Sequence, residues 1–167
     1  RHGMIDYPWN LVLGNEGELI ADWSRWGGDA VVGQVCEGAY LLNKSAIYIG
    51  SGSRIMPCVV LDAEAGPIYI GRNVTVSSNT IVQGPCFIGD GSLIQPASII
   101  RHHMSIGPVC KVGGEVEESV IHGYSNKQHT GFLGHAYVGE WVNLGAGCTN
   151  SDLKNRSEER RVGKECR

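Results

Sequence analysis

The chain has 167 residues, with 14 basic and 17 acidic side chains and a formal net charge of −3. This length predicts a single domain, and the mild charge gives no reason to expect nucleic acid or a membrane surface as a partner. The sequence contains no apolar run that could cross a bilayer and no signal-peptide pattern. We therefore expect a soluble cytoplasmic protein.

Residues 1–29 precede the periodic part of the chain and carry three of its four tryptophans. The apolar residues after Pro8 are compatible with either a helix or a hairpin, with a break predicted around Gly14–Gly17. We interpret this segment as a linker from a further domain that lies before it, with the tryptophans packed against that domain or in a core. Residues 30–48 are β-branched and aliphatic between turn residues, and they predict a first, irregular coil.

A period of six residues governs the next part of the chain. An α-helix turns about 100° per residue, so side chains six residues apart would scatter over several of its faces. Alternate residues of a β-strand point the same way, so an even step keeps all repeat side chains on one face. A glycine follows every third repeat residue, which adds a period of eighteen and predicts a β-solenoid with three short strands per coil. The repeat residues are Ile70, Val76, Val82, Ile88, Ile94, Ile100, Ile106 and Val112.

Mostly small side chains stand four residues after each repeat residue, as a narrow interior between three sheets would require. They are Val74, Thr80, Cys86, Ser92, Ser98, Met104 and Cys110. Two of these are cysteines, and Cys148 holds the same position in a later repeat. We therefore predict buried thiols and no disulfide framework.

The six-residue phase is interrupted twice. An earlier run at Ile49, Ile55 and Leu61 is displaced by three residues near residues 62–67. The phase is lost again within residues 113–131 and returns at Phe132, Val138 and Leu144. The step from Ile106 to Val138 is longer than one coil, and it predicts a coil of eighteen residues plus an insertion of fourteen.

Polar and titratable side chains gather where the repeat is lost. They are His122, Tyr124, Asn126, Lys127 and His129. Loops on a rigid scaffold are where binding and catalytic residues concentrate, and histidine is the side chain best suited to move a proton near neutral pH. From the residues alone, an ordinary hydrogen-bonded His129 and a solvated Lys127 remain the alternative.

Several segments resemble one known family. Gly123–Asn155, with its motifs S-N-K-Q-H, F-L-G and V-N-L-G-A-G, resembles the acetyltransferase half of a bifunctional enzyme family. That family is the N-acetylglucosamine-1-phosphate uridylyltransferase/glucosamine-1-phosphate N-acetyltransferase (GlmU-like) family, and the similarity is to its variant branch. The segments Tyr7–Val12, Val59–Gly71 and Lys111–Lys127 also resemble that branch.

The resemblance implies an all-β fold, a left-handed parallel β-helix of hexapeptide repeats over residues 30–155, truncated at its C-terminal end. It also implies a homotrimer with acetyl-CoA between neighbouring β-helices. The implied reaction is acetyl transfer to an amino-sugar phosphate of the glucosamine-1-phosphate type, in nucleotide-sugar and cell-envelope synthesis. A nucleotidyltransferase domain with a glycine-rich phosphate loop and a Mg²⁺ site would precede residue 1.

By the same resemblance, His129 is the catalytic base that takes a proton from the substrate amine. Lys127 would meet the sugar phosphate or nearby hydroxyls, and Asn143 would contact the sugar. Arg101 is a phosphate anchor, with Gln95 as an equal candidate.

Further contacts follow from the motifs around these residues. Tyr124 and Asn126 are expected to bind substrate, and Phe132 stands where the better-known branch has a tyrosine. Ala146 and Gly147 are expected on the acetyl-CoA side, where a backbone N–H would meet the acetyl carbonyl.

Two other functions are compatible with the residues. A trimeric zinc protein similar to γ-class carbonic anhydrase would share three histidines across an interface, although adjacent residues of a strand point opposite ways. The candidate ligands would be His102, His103, His122 and His129. A non-catalytic trimerisation or regulatory platform would need no acyl donor, and a longer acyl group could replace acetyl. We predict no metal site.

The last twelve residues, Arg156–Arg167, carry no repeat and resemble the translation of a sequencing adapter. We interpret them as a non-native tail and leave them out of the fold prediction.

Overall fold

The structure is a computed structural model that describes residues 5–26, 28 and 30–150. The described residues form one α-helix, one 3₁₀-helix and eighteen short strands. The strands form three six-stranded parallel sheets, and each sheet takes every third strand along the chain. The chain therefore winds as a parallel β-helix, and the predicted fold class is confirmed. The predicted tail lies outside the described residues.

Each sheet contributes one strand to every coil. Sheet A contains β3 (Ile47–Ile49), β6 (Ile68–Ile70), β9 (Cys86–Ile88), β12 (Met104–Ile106), β15 (Val120–Ile121) and β18 (Tyr137–Val138). Sheet B contains β1 (Gln34–Val35), β4 (Arg54–Ile55), β7 (Thr75–Val76), β10 (Leu93–Ile94), β13 (Lys111–Val112) and β16 (Asn126–Lys127). Sheet C contains β2 (Tyr40–Leu42), β5 (Val60–Asp62), β8 (Ile81–Gln83), β11 (Ile99–Ile100), β14 (Glu115–Glu117) and β17 (Phe132–Gly134). The helices are α1 (Pro8–Trp26) and a 3₁₀-helix at Lys44–Ala46.

The core is the inside of the coil. All eight residues of the strict six-residue repeat are fully buried, and the small residues four positions after them are buried as well. Burying one aliphatic side chain contributes about 1.5–3 kcal/mol, so the repeat residues hold the three sheets together. The interior position predicted for Cys148 is wrong, since this residue is exposed. It is exposed because no further coil of the described residues packs over its turn.

Coil length confirms the first predicted slip. Ile49 pairs with Ile70 across a step of twenty-one positions, whereas Ile70 pairs with Ile88 across a step of eighteen. The coil from Ile49 to Ile70 therefore carries three extra residues. They lie in the segment 63–67 between β5 and β6, because only two residues join β8 to β9 in the next coil.

The predicted fourteen-residue insertion is wrong. Ile106 pairs with Ile121 and Ile121 pairs with Val138, so this stretch forms two complete coils, each slightly shorter than eighteen residues. The main shortening is at the corner between sheets B and C. Only two residues, Gly113–Gly114, join β13 to β14, whereas four residues join β10 to β11 in the preceding coil. The period disappears because the corners become shorter and not because a loop is inserted.

Helix α1 is unbroken from Pro8 to Trp26, so the break predicted at Gly14–Gly17 is wrong. Proline suits the first helical position, because the N–H that it lacks would have no helical partner there. A glycine inside a helix costs about 1 kcal/mol relative to alanine. Docking offsets this cost, because Asn15, between the two glycines, is buried and bonds to the β-helix.

An aromatic ladder on sheet A receives helix α1. Tyr69 stacks between Tyr48 and Phe87, with ring centroids 4.7 and 5.2 Å away. Trp26 packs at a tilt on Tyr69, at 5.5 Å. The segment predicted to be a linker is thus a helix docked on the coil. Among the described residues, no helix combines the length and apolar character needed to cross a bilayer.

Candidate functional site

His129 lies exposed on the corner between sheets B and C. Four residues, 128–131, join β16 to β17 here. At the end of this corner Gly131 has a φ of +138°, and a side chain there would collide with the carbonyl oxygen of Cys148 in the next coil. The imidazole is thus accessible to a ligand, while its backbone is packed closely against the neighbouring turn.

Two hydrogen bonds hold this corner on either side. The Lys127 ammonium donates to the His129 carbonyl oxygen at 2.9 Å. The Gly147 N–H donates to the Thr130 carbonyl oxygen at 3.0 Å. Successive carbonyls of the corner are therefore bonded, which fixes the path of the backbone that carries the imidazole.

Lys127 lies inside the coil and not on its surface. The residue is only 3% exposed, and Nζ donates to the carbonyl oxygens of Gly113 at 2.8 Å and His129 at 2.9 Å. Burial lowers the pKa of the Lys127 ammonium, because desolvation penalises the charged form, while an ionised Cys148 would raise it. This placement corrects the predicted contact with a sugar phosphate, because Nζ is turned into the coil.

Two predicted site residues lie together on the outer face of sheet B. Asn126 forms a parallel β-bridge with Asn143 of the next coil, so the two backbones are about 5 Å apart. On its other side Asn126 pairs with Lys111, which is exposed. Lys111 was missed at the level of sequence, although its position before the buried Val112 matches that of Asn126 before the buried Lys127.

Tyr124 lies at the opposite end of these strands, in the turn that leads from sheet A to sheet B. Its ring stacks on Trp141 of the next coil, with centroids 4.6 Å apart and planes 7° apart. Both residues have a left-handed φ of +60°, a conformation that costs a residue with a Cβ about 1–2 kcal/mol. Trp141 is 74% exposed. The sequence analysis did not single out Trp141. Its place could have been inferred from Tyr124, because the two residues occupy the same turn in successive coils.

Phe132 and Arg101 lie on sheet C. Phe132 pairs with Glu115 while its neighbour Leu133 is buried, so the phase predicted at Phe132 is displaced by one residue. Arg101 Nε lies 2.6 Å from a Glu115 carboxylate oxygen and 3.6 Å from one of Glu117. Two carboxylates around one guanidinium leave this cluster net negative, which disfavours a phosphate at the predicted anchor.

Ala146 and Gly147 form an exposed turn in the next coil. The Gly147 N–H is already bonded to Thr130, so of the two only the Ala146 N–H remains a candidate donor to an acyl group. Gln95, the alternative phosphate anchor, donates from Nε2 to the side-chain oxygen of Gln128 at 3.2 Å. Both contacts lie beside the corner that carries the histidine.

The predicted site residues therefore divide by location. Those at one edge of sheet B and its corner are Asn126, Lys127, His129, Asn143, Ala146 and Gly147. Tyr124 lies at the opposite edge, and Arg101 and Phe132 lie on sheet C. Except for Lys127, whose ammonium is turned into the coil, the first group lies on neighbouring strands and corners.

Two other histidines have partners elsewhere. His102 Nδ1 lies 2.8 Å from the Gly84 carbonyl oxygen. His103 lies between the carboxylates of Glu16, at 3.4 Å, and Glu118, at 3.8 Å. In the described ranges, no three histidine, cysteine or carboxylate side chains are grouped to hold a metal ion. A zinc site of the kind considered above is thus not formed within the described part of one chain.

Comparison with known proteins gives a consistent set of relatives. No family model matches the chain. The bifunctional protein GlmU of Rippkaea orientalis is 34% identical over 116 residues, which are 68% of this chain and 24% of that protein. GlmU of Clostridium acetobutylicum is 28% identical over 157 residues, which are 92% of this chain and 30% of that protein. The chain thus spans about a quarter of the length of these relatives.

Solved structures are more distant. A mutant of AntD, an N-acyltransferase from Bacillus cereus in complex with dTDP and coenzyme A, matches 79% of this chain and 86% of its own. The identity is 12% and the TM-score is 0.31. The match to the Clostridium protein covers 92% of the chain and therefore includes most of the coils. The chain belongs to the GlmU-like family and forms a hexapeptide-repeat β-helix of that family.

Proposed function

We propose that the chain is an acyltransferase of the GlmU-like family that moves the acetyl group of acetyl-CoA to the amine of an amino-sugar phosphate. The glucosamine-1-phosphate type is the proposed substrate. The observation that carries the proposal is the exposed His129, beside a polar face formed by Asn126, Asn143 and Lys111. A base, two amides and a cation at one edge of a rigid sheet suit this transfer.

The reaction requires a base, because an ammonium cannot attack a thioester. The substrate ammonium first loses one proton to solvent. His129 takes a second proton from the resulting amine as the nitrogen attacks the thioester carbon, so the product is a neutral amide. The new C–N bond forms, the C–S bond breaks, and coenzyme A leaves as a thiolate that receives the proton from the imidazolium. The proposed donor to the developing oxyanion is the Ala146 N–H, since the Gly147 N–H is bonded to Thr130.

The polar face of sheet B suits the sugar phosphate. The amides of Asn126 and Asn143 can donate and accept hydrogen bonds with hydroxyls, and the exposed Lys111 supplies a positive charge for a phosphate. At the far edge, the stacked rings of Tyr124 and Trp141 present an apolar surface for the sugar ring.

Family membership supports wider proposals for the parent protein. We propose that the parent protein is a homotrimer that binds acetyl-CoA between neighbouring β-helices. We also propose that it acts in the cytoplasm, in nucleotide-sugar synthesis. Residues 1–29 would connect residues 30–155 to a preceding nucleotidyltransferase domain that binds Mg²⁺. Phe132 and Arg101 are proposed as outer contacts to the sugar and not to its phosphate, because two carboxylates surround Arg101.

The decisive experiment follows thiol release from acetyl-CoA in the presence of glucosamine-1-phosphate. His129→Gln should lower turnover by about a hundredfold or more, as expected for loss of a general base. The matched control is His122→Gln, since His122 packs edge-on against Tyr137 at 4.9 Å on another sheet. This control should leave turnover within about twofold of the unmodified protein.

The outcomes separate the candidate functions. Acetyl transfer that depends on His129 and not on His122 establishes the reaction and its base together. Absence of thiol release from the folded protein with acetyl-CoA and with longer acyl-CoA donors, tested with glucosamine-1-phosphate and other amino-sugar phosphates, would leave the non-catalytic platform as the function.

A further inference from the structure

Lys127 breaks the pattern of the interior column to which it belongs. Along sheet B, the buried residue of each coil pairs with the one above it, and Val112 pairs directly with Lys127. The preceding members of the column are Ile55, Val76, Ile94 and Val112. Lysine is almost never fully buried without a partner, so its presence in an aliphatic column needs a reason beyond packing.

The partners of this ammonium are backbone carbonyls and not a carboxylate. Nζ donates to Gly113 at 2.8 Å and to His129 at 2.9 Å, and Lys127 forms no salt bridge with any of the described carboxylates. Hydrogen bonds to an ionised donor are about twice as strong as neutral ones. In a buried setting they contribute more than they would in water. The ammonium therefore ties two successive corners together.

The corner before it has the shape needed to receive the ammonium. Gly114 has a φ of +76°, and a Cβ there would lie 3.0 Å from Lys127 Nζ and 2.8 Å from the Gly131 carbonyl oxygen. The two-residue corner thus leaves just enough room for the lysine head. Any side chain at Gly114 would press on the ammonium and on the corner that carries His129.

We propose that Lys127 is a positioning residue, whose ammonium holds the carbonyl oxygens of Gly113 and His129 and so fixes the orientation of the His129 imidazole. This proposal rests on the proposed function of His129. It replaces a contact between Lys127 and the sugar phosphate, because Nζ cannot reach an outer ligand without leaving both carbonyls.

A packing role alone does not require a lysine at this place. Methionine has a similar length and no charge to desolvate, and exchanging a buried ion for an apolar residue of similar volume is often neutral or stabilising. Lys127→Met should therefore keep the fold while it releases the His129 carbonyl. The matched control is Ile94→Met, which introduces the same side chain in the same column two coils earlier.

The first test separates binding from turnover. Lys127→Met should lower kcat for acetyl transfer by about tenfold to a hundredfold, as expected for a displaced catalytic group. KM for the amino-sugar phosphate should stay within about threefold. A tenfold rise in KM with kcat retained would show a direct phosphate contact instead and would overturn the proposal. If Lys127→Met does not fold, Lys127→Gln, which has no charge and a shorter side chain that ends in an amide, provides the same comparison.

The second test does not depend on activity. The ring Cε1–H resonance of His129 is assigned by its loss in His129→Gln and is then recorded in the other variants. It should shift or broaden in Lys127→Met and remain in place in Ile94→Met. An unchanged resonance in Lys127→Met would overturn the positioning role even if acetyl transfer is established. A shifted resonance in a protein without acetyl transfer would support the positioning of His129 by Lys127 and would reject the proposed function.

Discussion

Asn15 and Ser105, 90 positions apart in the chain, share a hydrogen bond of 2.6 Å that joins helix α1 to sheet A. Ser105 Oγ donates to the amide oxygen of Asn15, and the Asn15 amide nitrogen donates to the His103 carbonyl oxygen at 2.6 Å. The donor and the acceptor of one side chain are thus both used across the interface. This makes Asn15, which is 8% exposed, the polar anchor of the helix.

Asn15→Ala should lower the free energy of unfolding by about 1–3 kcal/mol, because it leaves a buried carbonyl and a hydroxyl without their partner. Urea denaturation measures the loss, and a change in the native tryptophan fluorescence, to which Trp26 contributes, reports whether the helix stays on Tyr69. Leu13→Ala, at a position that is 73% exposed in the same helix, is the control and should change stability by less than about 0.5 kcal/mol. Equal losses in the two variants would contradict the anchor.

This anchor also explains where sequence reasoning about the N-terminal segment was insufficient. Two glycines around Asn15 predict a break on local propensity, and local propensity is a weak guide once a tertiary contact competes with it. The partner of Asn15 is about ninety residues away, so no window of the sequence reveals it.

The buried serines directly before β4, β10 and β16 have a second role that the pattern of small residues did not reveal. Ser92 Oγ donates to the Gly107 carbonyl oxygen at 2.9 Å and accepts from the Cys110 N–H at 3.0 Å. The equivalent bonds of other coils are made by Ser53 and Ser125. The hydroxyl therefore joins one coil to the next, in addition to leaving the narrow interior free of bulk.

Ser92→Ala should destabilise the protein by about 1–3 kcal/mol, because the buried Cys110 N–H then loses its acceptor. The measurement is the midpoint and slope of urea denaturation. Ser51→Ala, on an exposed turn, removes the same hydroxyl without a buried partner and should have an effect near zero. If the two variants behave alike, the serine would be selected by size alone.

The regular coils follow directly from the sequence, because the pairing of Ile70 with Ile88 and the six-residue period express the same geometry. The site was harder to predict, because it lies where corners lose residues. The corner at Gly113–Gly114 loses two residues and the turn between β14 and β15 loses one, so Lys127 takes an interior position and Leu133 is buried in place of Phe132. The number of residues in a corner depends on how closely neighbouring backbones can approach each other, and the six-residue period of the sequence does not reveal this.

Acid should weaken one contact between coils. Arg72 Nη2 lies 2.7 Å from Asp90 Oδ2, and the Arg72 N–H donates to Asp90 Oδ1 at 2.8 Å. These backbone and side-chain bonds lower the pKa of the Asp90 carboxyl below its usual 3.8. Because the folded pKa is the lower one, the contribution is complete above 3.8 and is lost as the pH falls through the folded value.

Asp90→Asn should therefore reduce the steepness with which the free energy of unfolding falls below about pH 4. Urea titrations at closely spaced pH values between neutral and strongly acidic conditions measure this steepness. Both partners are partly exposed, so the change near neutral pH should be small. Glu37→Gln, on an exposed turn, is the charge-matched control. If the free energy of unfolding falls equally steeply with acid in the unmodified protein and in Asp90→Asn, the lowered pKa of Asp90 is contradicted.

Cysteine labelling tests the interior of the coil directly. Burial raises the pKa of the Cys86 thiol to about 12 and also raises that of Cys110, and only the thiolate reacts. In the native protein at pH ~8, an alkylating reagent should modify the exposed Cys58 and Cys148 and leave these two thiols intact until urea unfolds the chain. Peptide mass spectrometry over time follows each site. Replacing the two exposed cysteines by serine should remove their peptides from the rapidly labelled set, and rapid native labelling of Cys86 would be incompatible with a closed interior.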